Sequence, residues 1–352
     1  MVKKSKNPYN LLFGQEPGQL ISRSSQQMVI LEEFLNDPPV QQVYMITGIR
    51  GTGKTVFMTD TANEICSEKE WIRVELSSAS DMLSDLASAL ASEDNLARFF
   101  QSANINLSFF GIGLEVKGSV AITNIQVALT KMLESIKKHN KKVLVCIDEV
   151  TASEHMKVFA SAYQIFVRKK LPLYLLMTGL YENIDNLQNE DNLTFLHRAP
   201  KLWLKPLNIG TIADNYKKIF GLDDAGSLKM AKLTKGYSFA FQVLGYYTYK
   251  HGGNPDEALP EYRQYLEDYV YDKIWSEMSR GDRRLAYGIA KSKSGKSSEI
   301  KEILNISSNE YNPYRDRLKK KGIINAEEHG YISFILPLFE DFVIRCYETE
   351  EE

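Results

Sequence analysis

Val43-Tyr44-Met45-Ile46-Thr47-Gly48-Ile49-Arg50-Gly51-Thr52-Gly53-Lys54-Thr55 reads as a short apolar strand, a glycine-rich loop and the start of a helix. Residues 48–55 fit the pattern G-x-x-x-x-G-K-[ST], a phosphate-binding loop of the Walker A type. Gly48, Gly51 and Gly53 let the backbone take positive φ and come close to a polyphosphate. The N–H groups from Gly48 through Ile49, Arg50, Gly51, Thr52, Gly53, Lys54 and Thr55 to Val56, with the helix N-terminus, then face negative charge. Lys54 reaches toward the β- and γ-phosphates, and the Thr55 hydroxyl holds Mg²⁺. Val56, Phe57, Met58, Ala62 and Ile65 follow at helical spacing, so the loop stands between strand and helix, as the chemistry needs.

A second stretch agrees with the first. Val143-Leu144-Val145-Cys146-Ile147-Asp148-Glu149 is an apolar run without alternation, the mark of a strand buried on both faces of a parallel sheet. It ends in two acids at the carboxyl end, where open α/β sheets place their ligands. This is the Walker B arrangement. Asp148 holds Mg²⁺ through water, and Glu149 polarises the water that attacks the γ-phosphate. Two acids with two tasks point to hydrolysis rather than binding alone, so the chain reads as a nucleoside triphosphatase.

The bulk properties leave room for this and close other routes. A chain of 352 residues accommodates two or three domains, and a net charge of −2 excludes a uniformly basic nucleic-acid binder. Cys66, Cys146 and Cys346 are too scattered for a disulfide framework; Cys66 and Cys146 lie in apolar runs and read as packed hydrophobes. The basic start Met1-Val2-Lys3-Lys4-Ser5-Lys6 has no apolar region behind it, and no run of 18 apolar residues occurs. The expectation is a soluble, cytoplasmic protein without membrane contact.

Residues 1–24 read as an extended lead-in packed on the core. Residues 25–207 form the α/β core, with helices near 25–37, 54–68, 82–100, 122–139 and 154–169. Further strands are expected at 71–76, 171–177 and 201–204. Residues 103–120 alternate Ile105, Leu107 and Phe109 with smaller or polar residues, then Ile112, Leu114 and Val116, around Gly111 and Gly113. That is a hairpin pattern, and it serves either as a sheet edge, a contact arm or a folded-back decoration. Residues 208–278 are helical throughout and read as a lid. Residues 279–352 give helices near 281–291, 297–304 and 309–321, then strands at 323–325 and 331–334, which is a winged-helix domain.

This order of parts resembles the AAA+ ATPases, and within them the prokaryotic relatives of archaeal initiator-type ATPases and the STAND signalling ATPases. Phe13-Gly14, Pro17 and Leu20-Ile21-Ser22-Arg23 are similar to the family's lead-in, with Ser22 where the family has glycine. The resemblance makes Ile21 and Arg23 candidate nucleotide contacts; the alternative is a packed segment with a surface arginine. It implies ATP rather than GTP, and no guanine-reading Asn-Lys-x-Asp run is present. It puts Thr178 at the sensor 1 position, near the γ-phosphate, against the alternative of a plain Thr-Gly strand end. It puts Arg198 where the family carries an arginine finger, which acts on a neighbouring subunit and so implies a homo-oligomer. The alternative there is an arginine answering a helix dipole. Gly236-Tyr237-Ser238-Phe239 resembles the Gly-x-Pro-Phe motif of STAND-like lids, with Ser238 in place of proline, and no sensor 2 arginine is present.

The expected architecture is therefore a parallel P-loop sheet of the AAA+ type, an all-α lid and a C-terminal winged helix. The expected function is a Mg²⁺-dependent ATPase that acts as a nucleotide-driven switch between ATP and ADP states. The winged helix offers DNA the third helix with Arg315, Lys319, Lys320 and Lys321. The alternative is a STAND-like signalling or defence ATPase whose winged helix contacts protein.

Overall fold

Runs such as Val43–Thr47 and Leu173–Gly179, apolar without alternation, call for cover on both faces of a strand. The computed structural model describes residues 6–12, 17–114 and 120–351 and supplies that cover. Expectations touching residues 1–5, Phe13, Gly14 and Val116 lie outside the described residues. The chain divides into two units: residues 24–47 with 54–204, and residues 1–23 with 48–53 and 205–352.

The first unit holds one parallel sheet. Strands β1 (Val43–Thr47), β2 (Trp71–Leu76), β3 (Lys142–Ile147), β4 (Leu173–Gly179) and β5 (Lys201–Trp203) lie in the order β2-β3-β4-β1-β5. Thr47 pairs with Gly179 and Trp203, and Ile147 pairs with Met177, so the carboxyl ends of these strands come level. Helices α1 (Ser24–Leu35), α2 (Lys54–Ile65), α3 (Met82–Ser92), α4 (Asp94–Ser102), α5 (Ile125–Lys138), α6 (Glu154–Arg168) and α7 (Tyr181–Gln188) cover both faces. Along β3 the side chains divide by parity. Val143, Val145 and Ile147 enter a core with α3, α5 and α6, while Leu144 and Cys146 enter another with α1 and α2. Burial pushes the Cys146 thiol up to about 12 and the Cys66 thiol to about 11, as suits packed hydrophobes.

Two expectations change in this unit. The helix expected over 82–100 breaks at Glu93, whose backbone is extended, giving α3 and α4. Residues 103–114 and 120–124 form no strand among the described residues. A 3₁₀ turn at Ser108–Phe110 and left-handed Gly111 reverse the chain, the Asn106 side chain accepts the Ser108 N–H at 3.0 Å, and Leu107 N–H donates to Leu114 at 2.8 Å. Ile105, Leu107 and Leu114 are buried, so the alternation marks an inward-facing loop rather than a ladder.

The second unit is mostly helical: α8 (Ile209–Phe220), α9 (Asp224–Lys232), α10 (Ser238–Lys250), α11 (Pro255–Leu266) and, after a π turn at Glu267–Tyr271, α12 (Asp272–Ser276). Then come α13 (Arg280–Lys291), α14 (Ser297–Leu304), α15 (Ser308–Lys320), β6 (Ile324–Asn325), β7 (Ser333–Phe334) and α16 (Phe339–Glu351). Three helices are thus followed by an antiparallel pair and a further helix. Helix α16 has no counterpart in the sequence expectation. Its Phe339, Phe342 and Val343 share a core with Tyr271 and Trp275 on one side and Leu285 and Ile289 on the other. Polar ties repeat the arrangement: Arg263 to Asp341 at 2.7 Å, Lys235 to Glu340 at 2.9 Å, and Trp275 Nε1 to Glu350 at 2.8 Å.

Asp282, 1 % exposed, closes the capping box of α13 and accepts from Arg317 Nε at 2.7 Å; Lys321 Nζ lies 3.9 Å away. Truncating Asp282 removes the buried carboxylate that these two cations share, although Arg317 keeps Ser279 Oγ at 2.8 Å and Lys321 keeps the Glu277 carbonyl at 3.5 Å. Asp282→Ala is expected to cost about 3 kcal/mol, read as a fall in the unfolding midpoint; an unchanged midpoint would show that the pair contributes nothing.

Candidate nucleotide site

The first unit supplies acids and hydroxyls. Helix α2 begins at Lys54, so its free N–H groups and positive dipole end stand at the start of the lysine-threonine pair. Thr55 Oγ1 donates to Asp148 Oδ2 at 2.7 Å. Asp148 Oδ1 accepts from the Thr178 hydroxyl and, at 3.1 Å, from the Glu149 N–H. That same N–H lies 3.2 Å from Thr178 Oγ1. Thr178 is fully buried, and its carbonyl accepts the Val150 N–H at 2.8 Å. The network bends the chain sharply after β3 and holds Glu149 at φ +50, a left-handed backbone that costs a glutamate about 1 kcal/mol. Glu149 is exposed.

The donor set suits Mg²⁺. One hydroxyl and one carboxylate are hard oxygen ligands, and Mg²⁺ is commonly bound through one or two carboxylates with substrate phosphates and water. Among the described residues no group of three or more His, Cys, Asp or Glu could hold an ion without such help.

The second unit supplies the loop. Gly51 at φ +73 and Gly53 at φ +83 take the positive φ expected of the loop glycines, whereas Gly48 does not and is needed for close approach alone. Thr52 Oγ1 donates to the Ile49 carbonyl at 2.9 Å, and a Cβ on Gly48 would stand 2.8 Å from that oxygen. Arg50 pairs with Glu277 at 3.0 Å in a half-exposed contact. Arg23 is engaged with the protein itself: its guanidinium donates to the carbonyls of Lys205 at 3.2 Å and Thr52 at 3.0 Å, and to Ser238 Oγ at 2.9 Å. Burial lowers it to about 10, so it stays charged at neutral pH. Ile21 is buried in the same core. The residue that sequence reasoning missed is Tyr237, whose hydroxyl donates to the Arg50 carbonyl at 2.6 Å. No spacing rule links residues 187 apart; the Gly-x-x-Phe motif was the available signal.

Arg198 ends the 3₁₀ segment Asp191–Arg198, exposed and without an ion pair or hydrogen bond among the described residues. The basic cluster of the C-terminal helices divides. Arg317 and Lys321 turn onto Asp282, so Lys321, expected on the outer face, is instead an internal tie, its side chain 13 % exposed. Lys319 and Lys320 are exposed, and Arg315 lies against Asp316 at 2.6 Å. Lys301, Arg315, Lys319 and His329 line a cavity of about 260 Å³ with Tyr311 and Tyr331, beside one acid, Glu328.

Among the described residues no helix is long and apolar enough to cross a membrane. No curated protein matches the sequence. Residues 268–343 match a family described as Domain of unknown function (DUF8462). Among solved structures, the Walker-type ATPase PABY2304 of Pyrococcus abyssi is similar at 16% identity, over 93% of this chain and 96% of that one, with a TM-score of 0.63. The ORC2 protein of Aeropyrum pernix is similar at 12% identity, over 93% and 92%, with a TM-score of 0.56. With its strand order, its glycine loop after β1 and these likenesses over nearly its whole length, the chain has a parallel P-loop fold of the AAA+ type.

Proposed function

We propose that this chain binds ATP with Mg²⁺ at the loop of residues 48–55, hydrolyses it, and uses the nucleotide state as a switch on its helical part. The observation that carries the reading is the Thr55–Asp148–Thr178–Glu149 network at the carboxyl end of β3 and β4. The Aeropyrum ORC2 structure is described as ADPNP–ADP complexes, which supports an adenine nucleotide.

Mg²⁺, when bound, would be held by Thr55 and Asp148 and would supply neutralisation of the phosphate charge. The loop N–H groups and the Lys54 ammonium draw the phosphates into place. Thr178 keeps Asp148 and the Glu149 amide in register rather than reaching out freely. Glu149 takes a proton from the attacking water. Arg198, exposed and unengaged, fits a finger that completes the site of a second copy. The loop belongs to the same unit as the lid and the C-terminal helices, so a change in its occupancy acts on them first. The test is phosphate release: turnover that needs Mg²⁺ and stops with EDTA supports the reading, and no release above background contradicts it.

A role for DNA rests on the basic cavity between α14, α15 and the β6–β7 turn. Lys319→Glu is expected to weaken duplex binding and to reduce the salt slope of log K by about 1. Binding unchanged at two salt concentrations favours the other reading, in which these helices contact a protein as in STAND-like switches.

A further inference from the structure

A loop that turns its N–H groups toward phosphate must turn its carbonyls the other way, and carbonyls cut off from water need donors. Three consecutive ones, on Arg50, Gly51 and Thr52, are met by three consecutive residues at the start of α10. The Tyr237 hydroxyl donates to Arg50 at 2.6 Å, the Phe239 N–H to Gly51 at 3.0 Å, and Ser238 Oγ to Thr52 at 3.0 Å. Arg23 adds a second donor to Thr52 and holds the Ser238 oxygen.

From this geometry we infer that Tyr237 and Ser238, steadied by Arg23, are positioning residues that set the phosphate loop through its carbonyls. The inference rests on the proposed binding of a triphosphate at that loop.

Four features make the contact a built one. The Phe239 N–H is one of the four that a helix start leaves without an internal partner, and the loop answers it. Tyr237 is 2 % exposed and lies so close over Gly51 that a Cβ there would meet its hydroxyl at 2.1 Å. Glycine at 51 therefore serves two needs, the positive φ and the approach of this ring. Gly236, at φ +74, accepts the Leu207 N–H at 2.8 Å, and a Cβ on it would stand 2.5 Å from the Leu207 carbonyl, which fixes where α10 begins.

The consequence follows from peptide chemistry. The carbonyls of residues 50 and 52 share peptide units with the N–H groups of Gly51 and Gly53, while the Thr52 N–H, in the unit between them, turns to the Ile49 carbonyl at 3.4 Å. A donor on the oxygen polarises the N–H at the other end of the unit, so the lid strengthens the groups offered to phosphate. Coupling of this kind is reciprocal: phosphate held by the loop favours the docked lid, and a released lid leaves the loop slack. The chain thus has a link from nucleotide to lid that does not need the missing sensor 2 arginine.

The test uses the full chain, titrated calorimetrically with Mg²⁺ and tripolyphosphate, with Mg²⁺ and a non-hydrolysable ATP analogue, and with adenosine. Tyr237→Phe keeps the ring and removes one donor; Ser238→Ala removes another. Each is expected to weaken tripolyphosphate and the ATP analogue alike by about 2- to 10-fold, the range of one hydrogen bond. Adenosine is expected to be unaffected, and Ser238→Thr is expected to restore binding. Wild-type affinity in both folded variants overturns the inference. So does a loss that appears with adenosine but not with tripolyphosphate, which would place these residues on the base. Should Tyr237→Phe fail to fold, Ser238→Ala and its threonine rescue carry the same test. A wild-type chain that binds neither polyphosphate nor analogue overturns the proposed function itself, and this inference with it.

Discussion

Glu149→Gln is expected to slow ATP turnover by about 10²- to 10⁴-fold while leaving Mg·ATP affinity close to that of the parent. The amide has the size of the carboxylate and cannot accept a proton from water. What holds the residue in place is its backbone: the N–H is tied to Asp148 and Thr178, and φ is +50. None of that depends on the side-chain charge, so the variant keeps its shape and loses its base. Single-turnover phosphate release beside a binding titration separates the two quantities. Equal turnover in parent and variant would mean that the nucleotide is bound and not processed through Glu149, and the switch would then run on exchange alone.

Lys54→Ala is expected to act on binding instead. Lys54 opens α2, where its ammonium adds a full charge to the partial charges of the free N–H groups. Truncating one partner of a desolvated charge pair costs about 2–5 kcal/mol, which corresponds to a weakening of about 30- to 5,000-fold for a triphosphate. The loop glycines and α2 remain, so the fold should persist with its unfolding midpoint little changed. A fluorescent nucleotide titration reads the loss. Parental affinity in this variant would remove the loop from the site.

The two motifs were legible because each is local. The strand–loop–helix context of residues 48–55 and the strand–acid context of residues 143–149 follow from hydrophobic pattern within a few positions. What was not legible depends on partners far away in sequence. Tyr237 stands in the sequence only as the unspecified second position of a Gly-x-Pro-Phe-like stretch, and its role becomes visible when its hydroxyl is found on the Arg50 carbonyl. Lys321 was expected to face DNA beside Arg315, Lys319 and Lys320, and Asp282, 39 residues earlier, draws it inward instead. The 103–120 alternation satisfies a strand pattern, yet left-handed Gly111 and the Asn106 side chain turn the same buried Ile105, Leu107 and Leu114 into a loop. Helix α16 carries start signals that the sequence reading did not use, Pro337 ahead of it and Glu340 and Asp341 in its first turn, and its place is set by the aromatic core it shares with Tyr271 and Trp275. The left-handed Glu149 is set by the Thr178 and Asp148 side chains, not by its own preference.

Calorimetric titration of the full chain with a non-hydrolysable ATP analogue, in the presence and absence of Mg²⁺, addresses the central claim most directly. A saturable heat of one site per chain that strengthens with Mg²⁺ is the expected result. No heat with any nucleoside triphosphate, or a heat indifferent to Mg²⁺, would contradict it.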